Sequence, residues 1–226
     1  MATPPGRLWL GCKNIKRTES PFLEQAANPK KTTTLSDNLR VRFKGVLDPI
    51  GAFFNQLGIH PNTMTILGLI GNAIGAIFLA LGHMTIGGLI ILAMGPVDAL
   101  DGTMARLRGE TSAFGAFVDS VTDRYSELVI FGGLLFYYVQ QGNLLGAILV
   151  YLSAAGSVMV SYTRARGQSL GYDTKVGLLS RFERYMILAP ALILNYPIVA
   201  LWILAILANF TALQRILDVR QRARKN

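Results

Sequence analysis

Residues 61–97 read PNTMTILGLIGNAIGAIFLALGHMTIGGLIILAMGPV and contain no Asp, Glu, Lys or Arg. A membrane-crossing helix needs about 20 predominantly apolar residues, so this interval is long enough for two of them. A break between the two is marked by Gly82-His83 and by the glycine pair that follows at 87–88. The stretch therefore predicts two consecutive membrane-spanning helices.

Four more apolar tracts follow this stretch. Hydrophobic residues make up 51% of the chain and charged residues only 15%, a composition typical of a protein that lies largely in lipid. Short polar segments at 140–143, 164–181 and 195–197 separate the tracts. The sequence thus predicts an all-α membrane protein with six transmembrane helices, the last four at roughly 113–139, 143–163, 182–196 and 198–217.

The basic residues lie on one side of the predicted membrane. The chain has 22 Lys and Arg, and the turns predicted on the outer side, near 82–86, 138–144 and 195–198, contain none of them. Cytoplasmic loops of membrane proteins carry an excess of Lys and Arg, so both termini and the active site are expected on the cytoplasmic side. We therefore predict a multi-pass protein of the cell (inner) membrane. The segments predicted to be cytoplasmic are 1–60, 104–112, 164–181 and 218–226.

Both ends of the chain are basic. Residues 1–35 lack the apolar segment of a secretory signal, so we expect a flexible basic cytoplasmic arm. Residues 219–226 are predicted to form a basic cytoplasmic tail. Beside six apolar spans, these charges indicate attraction to anionic membrane lipid and no contact with nucleic acid. The six-span domain lies between the two ends, at 61–218.

Residues 36–60 predict an amphipathic helix beside the membrane. Apolar residues such as Leu39, Phe43, Leu47 and Phe54 recur there at helical spacing, with basic residues on the other faces. A basic amphipathic helix next to a span is typical of an interfacial helix that lies on the membrane surface. The alternative is a buried helix of a small soluble domain.

Four aspartates follow the uncharged stretch. Asp98 and Asp101 are three residues apart, and Asp119 and Asp123 are four apart, so each pair projects from one face of its helix. The connection at 107–112 is short, which predicts that the second and third spans are an antiparallel pair. All four carboxylates are therefore expected to converge.

Converging carboxylates near apolar segments repel one another and resist desolvation unless cations neutralise them. Oxygen ligands without His or Cys favour Mg²⁺ or Mn²⁺, and four carboxylates can share two ions that bind a diphosphate. Gly102 and Gly115 would let the helices approach closely and leave room for a ligand. Two simpler explanations are solvated charges at helix ends and ion pairs with Arg106, Arg108 and Arg124.

The aspartates and their small neighbours follow the pattern Asp98-x2-Asp101-Gly102-x2-Ala105-Arg106-x8-Gly115-x3-Asp119-x3-Asp123. This pattern resembles the signature of the CDP-alcohol phosphotransferase family at every fixed position. The resemblance extends over roughly 36–217 and includes the opening of the first span at 61–65. It implies transfer of a substituted phosphoryl group from CDP-diacylglycerol to an alcohol, with release of CMP.

The resemblance also implies roles for individual residues. Two ions per site, Mg²⁺ or Mn²⁺, are coordinated by Asp98, Asp101, Asp119 and Asp123. Asp123 also acts as the base that accepts the proton of the acceptor hydroxyl. The residues that bind the head of CDP-diacylglycerol are Pro61, Asn62, Thr63, Met64, Gly102, Arg106 and Ser112.

Arginines in the second half of the chain predict the kind of acceptor. They occur in SYTRARGQSLG (161–171), at 181–184 and within the last span, and guanidinium groups complement a phosphate dianion, so a phosphorylated polyol is expected. These segments resemble the phosphatidylinositol-phosphate synthase branch of the family, which implies inositol phosphate as acceptor. The chain departs from the pattern of that branch at two points. Arg164 stands where relatives commonly have Lys, and the segment 181–184 lacks the Glu and Pro often seen before the final Glu-Arg pair. The predicted acceptor-phosphate residues are Arg164, Arg166, Arg184 and Arg215.

Two other functions are compatible with these residues. Glycerol 3-phosphate offers the same anionic group on a smaller alcohol and would give phosphatidylglycerophosphate. A divalent-cation carrier would use the same carboxylates, but a conduction path needs polar residues that continue to the outer face, where only Gln140, Gln141 and Asn143 occur. The family resemblance further implies a homodimer.

Overall fold

Seven α-helices follow one another in the part of the chain that the computed structural model describes, which is 35–109, 112–172, 174 and 176–224. Side chains are described at position 45 and from position 47 onward. No strand occurs within these residues, which confirms the predicted all-α fold. The helices are α1 (Leu35–Gln56), α2 (Pro61–Ala80), α3 (Met84–Arg108), α4 (Ala113–Gln140), α5 (Leu144–Ser169), α6 (Arg181–Ile193) and α7 (Pro197–Ala223).

The two basic ends are described only in part. The arm predicted at 1–35 lies outside the described residues except for its last position, and so do 225 and 226 of the predicted tail. The rest of the tail continues α7 and ends in a turn.

Local signals set the helix ends near the aspartates. α3 ends at Arg108 and is capped by Gly109, whose left-handed φ of 68° is a conformation that glycine adopts without strain. α4 begins after Ser112, whose side chain accepts a hydrogen bond from the Gly115 N–H at 2.9 Å. The turn between the two helices is therefore short, and the aspartates lie within the last turns of α3 and the first turns of α4.

The start of α6 is fixed by its own cap. The Ser180 backbone N–H donates to the Glu183 carboxylate, which satisfies one of the free donors at the helix N-terminus. Arg181 is the first residue of α6, and this cap holds its backbone in place.

Four of the seven helices are long and apolar enough to cross a membrane: α2, α3, α5 and α7. α4 has sufficient length, but it carries four charged residues between positions 119 and 127: Asp119, Asp123, Arg124 and Glu127. α6 has 13 residues, and at 1.5 Å per residue it measures roughly 20 Å against a hydrocarbon core of about 30 Å. Of the six predicted spans, four are candidate spans in the structure. The other two correspond to α4, which is charged, and to α6, which is short.

α1 occupies most of the segment predicted as a juxtamembrane helix, and it packs against the last turns of α3. The Asn55 side chain donates to the Met104 carbonyl at 3.1 Å, and Arg108 donates to the Ile59 carbonyl at 2.8 Å. These hydrogen bonds attach the chain around the end of α1 to the helix that carries Asp98 and Asp101.

α2 lies between α3 and α4 and packs closely against both. A Cβ atom added to Gly87 of α3 would lie 2.9 Å from the Gly75 carbonyl oxygen of α2, and Gly133 of α4 lies against the Ala76 carbonyl. Such small-residue contacts let helix backbones approach in a membrane. Among the described helices, α3 and α4 are not a pair in extensive contact. The direct packing expected from their short connection is not found, because α2 intervenes.

Candidate active site

Three aspartates from two helices come together at the ends of α3 and α4. Asp98, Asp119 and Asp123 each offer a carboxylate oxygen, and these oxygens all lie within 4.8 Å of one another. Asp123 is buried, and the other two are half-buried. The predicted convergence of α3 and α4 carboxylates is therefore present for three of the four aspartates. We call these three residues the aspartate cluster.

Asp101 is held beside the cluster by α2. Its Oδ2 accepts a hydrogen bond from the Thr65 hydroxyl at 2.7 Å, and its Oδ1 accepts one from the Gly102 N–H at 2.5 Å. Both Asp101 and Thr65 are buried. Thr65 was not among the predicted site residues, although it lies one helical turn after Pro61, whose carbonyl its hydroxyl also contacts at 3.2 Å.

Arg181 of α6 contacts two members of the aspartate cluster. Its Nη1 atom lies 2.5 Å from Asp98 Oδ2 and 2.7 Å from Asp123 Oδ1. The sequence places Arg181 only among the arginines that could bind the acceptor phosphate, and does not predict it at the aspartates. The structure places it between the carboxylates of α3 and α4.

The donor set of the cluster fits a divalent cation. At an effective dielectric constant of about 20, two carboxylates this close repel each other by roughly 3 kcal/mol, so the cluster requires positive charge. Asp123 Oδ1 is buried, and among the described residues it has no hydrogen bond, because its pairing with Arg181 is not aligned as one. An oxygen-only set with an unsatisfied buried oxygen suits Mg²⁺ or Mn²⁺.

Some of the predicted nucleotide-binding residues lie together where α2 meets the start of α4. A Cβ atom added to Gly115 would lie 3.1 Å from Ser112 Oγ and 3.7 Å from Asn62 Oδ1. Asn62, Thr63 and Ser112 are exposed, and Pro61 is half-buried. Asn62 and Ser112 thus present polar atoms beside Gly115, one helical turn before Asp119.

Met64 and Arg106 have structural contacts of their own. The Met64 side chain is buried with Leu100 and Met104 in a small apolar cluster between α2 and α3. Arg106 is exposed and donates to the Thr103 hydroxyl at 2.9 Å. Met64 can therefore contribute to a nucleotide site only through its backbone, whereas the guanidinium of Arg106 is reachable from solvent.

The predicted acceptor arginines differ in their surroundings. The charges of Arg164 and Arg184 both act on Arg215, so each of these two arginines lies within electrostatic range of it. Arg166 is exposed and lies 3.3 Å from Ser169 Oγ on its own helix. The structure therefore brings together three of the four predicted residues, and we call them the arginine cluster.

Two members of the arginine cluster are already bonded to the protein. Arg184 is 3% exposed and forms a two-point ion pair with Glu127 of α4, with N–O distances of 2.7 and 3.1 Å. Arg215 is 4% exposed and donates to the carbonyls of Val160 and Val176 at 2.5 and 2.9 Å. Glu127 is a neighbour that the sequence did not predict.

The segment that carries the aspartates matches a known family. Residues 58–214 match the family model described as CDP-alcohol phosphatidyltransferase. The chain belongs to this family. It is therefore an enzyme of the CDP-alcohol phosphatidyltransferase type, from a family of membrane enzymes that depend on a divalent cation.

Relatives of known structure and name lie within this CDP-alcohol phosphatidyltransferase family. A phosphatidylinositol phosphate synthase of Streptomyces avermitilis is 38% identical over 206 residues, which is 84% of each chain. The crystal structure of the phosphatidylinositol phosphate synthase of Mycobacterium tuberculosis with CDP-DAG bound superposes with a TM-score of 0.73 at 28% identity, and covers 77% of this chain and 93% of that one. The crystal structure of that synthase in complex with manganese and citrate gives a TM-score of 0.71 at 28% identity, with 76% and 88% covered.

Proposed function

We propose that this protein transfers the phosphatidyl group of CDP-diacylglycerol to inositol phosphate and releases CMP, and so acts in phospholipid biosynthesis. The observation that carries the proposal is the aspartate cluster, which brings carboxylates of α3 and α4 within 4.8 Å in the segment that matches the family. The names of the Streptomyces and Mycobacterium relatives support inositol phosphate as the acceptor.

In the proposed mechanism, two Mg²⁺ or Mn²⁺ ions held by Asp98, Asp101, Asp119 and Asp123 would neutralise charge on the diphosphate of the donor. The acceptor oxygen forms a bond to the phosphorus that carries diacylglycerol, and the bond from that phosphorus to the oxygen of CMP breaks. Asp123 takes the proton of the acceptor hydroxyl, a role for which its Oδ1 is suited because this atom accepts no hydrogen bond from the described residues.

The donor head is assigned to the edge of the cluster where α2 meets α4. Asn62 and Ser112 offer polar side chains there, and the exposed guanidinium of Arg106 can pair with a phosphate. Gly102 follows Asp101 on α3 and leaves its backbone accessible to a nucleotide. The remaining members of the proposed set are Pro61, Thr63 and the backbone of Met64.

The acceptor phosphate is assigned to the arginine cluster, with Arg166 at its outer side. Arg215 supports this assignment. Its described hydrogen bonds go to carbonyl groups, which are neutral and do not cancel its positive charge. Arg164 and Arg184 add further positive charge beside it. An anion would relieve the repulsion that Arg164 and Arg184 exert on Arg215.

We further propose that all six predicted spans cross the cell (inner) membrane, with both termini and the active site in the cytoplasm. α1 then lies at the membrane surface, and the charged turns of α4 lie with the active site on the cytoplasmic side. Exposed aromatic residues on α4, such as Phe114, Phe117 and Tyr125, provide an apolar face for a homodimer contact or for lipid.

The proposal is tested by supplying purified protein in detergent with CDP-diacylglycerol, Mg²⁺ and one acceptor at a time. We expect CMP release with inositol phosphate and little release with serine or unphosphorylated inositol. Faster CMP release with glycerol 3-phosphate would show that this compound is the acceptor, and the proposed type of reaction would stand. Divalent-cation flux in proteoliposomes without CMP release from any acceptor would contradict the proposed function altogether.

A further inference from the structure

Arg181 occupies a bridging position in the aspartate cluster. A single nitrogen atom, Nη1, contacts Asp98 of α3 at 2.5 Å and Asp123 of α4 at 2.7 Å. The Asp98 side chain is 22% exposed and that of Asp123 is 11% exposed, so these carboxylates are largely withdrawn from water. One guanidinium group therefore compensates two acids that belong to different helices.

This position overlaps with the place of a divalent cation. A metal ion that joins these two carboxylates must lie within about 2.0–2.6 Å of an oxygen from each. Nη1 lies at nearly those distances from the same two oxygens. The ion and the guanidinium group therefore cannot both bridge Asp98 and Asp123.

The backbone of Arg181 is fixed, but its side chain has space to leave. Ser180 and Glu183 cap the start of α6, and one turn later the two-point ion pair of Arg184 with Glu127 links α6 to α4. The Arg181 side chain is 37% exposed, whereas that of Arg184 is 3% exposed. The exposed side of Arg181 gives its side chain a direction in which to leave the bridge while the backbone of α6 stays in place.

We propose that Arg181 is an internal counter-ion of the metal site, which holds Asp98 and Asp123 together without metal and is displaced when a divalent cation binds. The inference rests on the metal site of the proposed function. Arg181 is a positioning residue in this scheme, since it acts on the carboxylates and not on the substrate. Metal affinity is then set by competition between the ion and the guanidinium group.

Manganese binding to the full chain in detergent tests this competition directly. Bound Mn²⁺ is measured from the loss of the electron paramagnetic resonance signal of free Mn²⁺, for the wild-type protein and for Arg181→Gln. We expect Arg181→Gln to bind Mn²⁺ about tenfold more tightly, because the ion no longer displaces an ion pair. Arg181→Lys keeps the charge but has a single donor group, so its affinity should lie between the two.

Thermal unfolding gives a second readout. In EDTA, Arg181→Gln should unfold at a lower temperature than the wild-type protein, because its carboxylates repel one another without a counter-ion. In saturating Mn²⁺ this difference should become small or disappear. A merely structural arginine would leave the same difference under both conditions, which would overturn the proposal.

Arg124→Gln is the matched control. Arg124 lies 3.3 Å from Asp123 Oδ2 and is 35% exposed, but its other hydrogen bond goes to the Ser120 carbonyl on its own helix. Its removal takes away one charge beside the same carboxylate without opening the position between α3 and α4. We expect less than a threefold gain in Mn²⁺ affinity, and an equal gain in both variants would overturn the bridging role.

The outcomes separate this inference from the proposed function. Unchanged or weaker Mn²⁺ binding by Arg181→Gln, with CMP release intact in the wild-type protein, would contradict the counter-ion role alone. If Asp98→Asn and Asp123→Asn bind Mn²⁺ as tightly as the wild-type protein does, the metal lies elsewhere. That result would contradict both the counter-ion role and the metal site of the proposed function.

Discussion

The two charged clusters differ in how the protein compensates them. In the aspartate cluster, Asp123 Oδ1 is buried without a hydrogen bond among the described residues, and its cationic neighbour Arg181 is partly exposed. In the arginine cluster, Arg184 and Arg215 are almost fully buried, and both are bonded to the protein. The arginine cluster is thus built around permanent partners, whereas the aspartate cluster has the partly exposed counter-ion that the proposed exchange with a metal ion requires.

The largest expected effect is on the reaction rate and comes from the aspartate cluster, which lacks a permanent partner. Asp123→Asn should lower the rate of CMP release by about 10³-fold, since it removes both a metal ligand and the proton acceptor. The measurement is CMP formation from CDP-diacylglycerol and inositol phosphate at saturating Mg²⁺. Asp218→Asn, the same change at a carboxylate that pairs with Arg222 at the end of α7, is the control and should keep its activity. A rate for Asp123→Asn within tenfold of wild type would contradict the assigned role.

The second prediction concerns the permanent partner of Arg184. Glu127→Gln leaves a buried guanidinium without its carboxylate and should lower the free energy of unfolding by about 3 kcal/mol. The measurement is unfolding in detergent, with Asp218→Asn as the matched control. The Asp218–Arg222 pair has a similar N–O distance of 2.9 Å, but Arg222 is 47% exposed, so the control should lose less than about 1 kcal/mol. Equal losses would show that burial does not distinguish the pairs.

The smallest effect should be specific for the acceptor. Arg215→Gln should raise the KM for inositol phosphate by roughly 10- to 100-fold, as a charged hydrogen bond contributes about 1.5–3 kcal/mol. The KM for CDP-diacylglycerol should stay near the wild-type value. Arg166→Gln should have a smaller effect on the acceptor, since Arg166 is exposed, and Arg224→Gln at the chain end should have none. A parallel rise in both KM values, or a lower maximal rate with both KM values unchanged, would assign Arg215 to the structure of the protein and not to acceptor binding.

The sequence predicted the acids of the site more completely than their surroundings. Helical spacing predicted that Asp98 shares a face with Asp101, and Asp119 with Asp123, and the structure brings three of these four together. Hydropathy predicted six spans, of which four have both the length and the composition of a span. The other two, α4 and α6, fall short for different reasons. The charged turns of α4 lower its hydropathy, and α6 is short because Pro197 begins a new helix soon after it ends.

The contacts between distant segments required the structure. No pattern in the sequence indicates that Arg181 reaches the aspartate cluster or that Arg184 pairs with Glu127, since both are arginines of one short segment. Thr65 contacts Asp101 across 36 positions of the chain. Such partners depend on which face of α2 and α6 turns toward α3 and α4, and that rotation is set by packing.

By itself, the sequence determined the helical membrane fold, the residue types of the metal site and the family, because all three depend on hydropathy and on spacing within single helices. The tertiary structure alone decided that α2 separates α3 from α4, that Asp101 is bonded to Thr65, and that Arg181 bridges Asp98 and Asp123. These features depend on how close helix backbones approach at small residues such as Gly75 and Gly133. Local spacing holds no information about that distance.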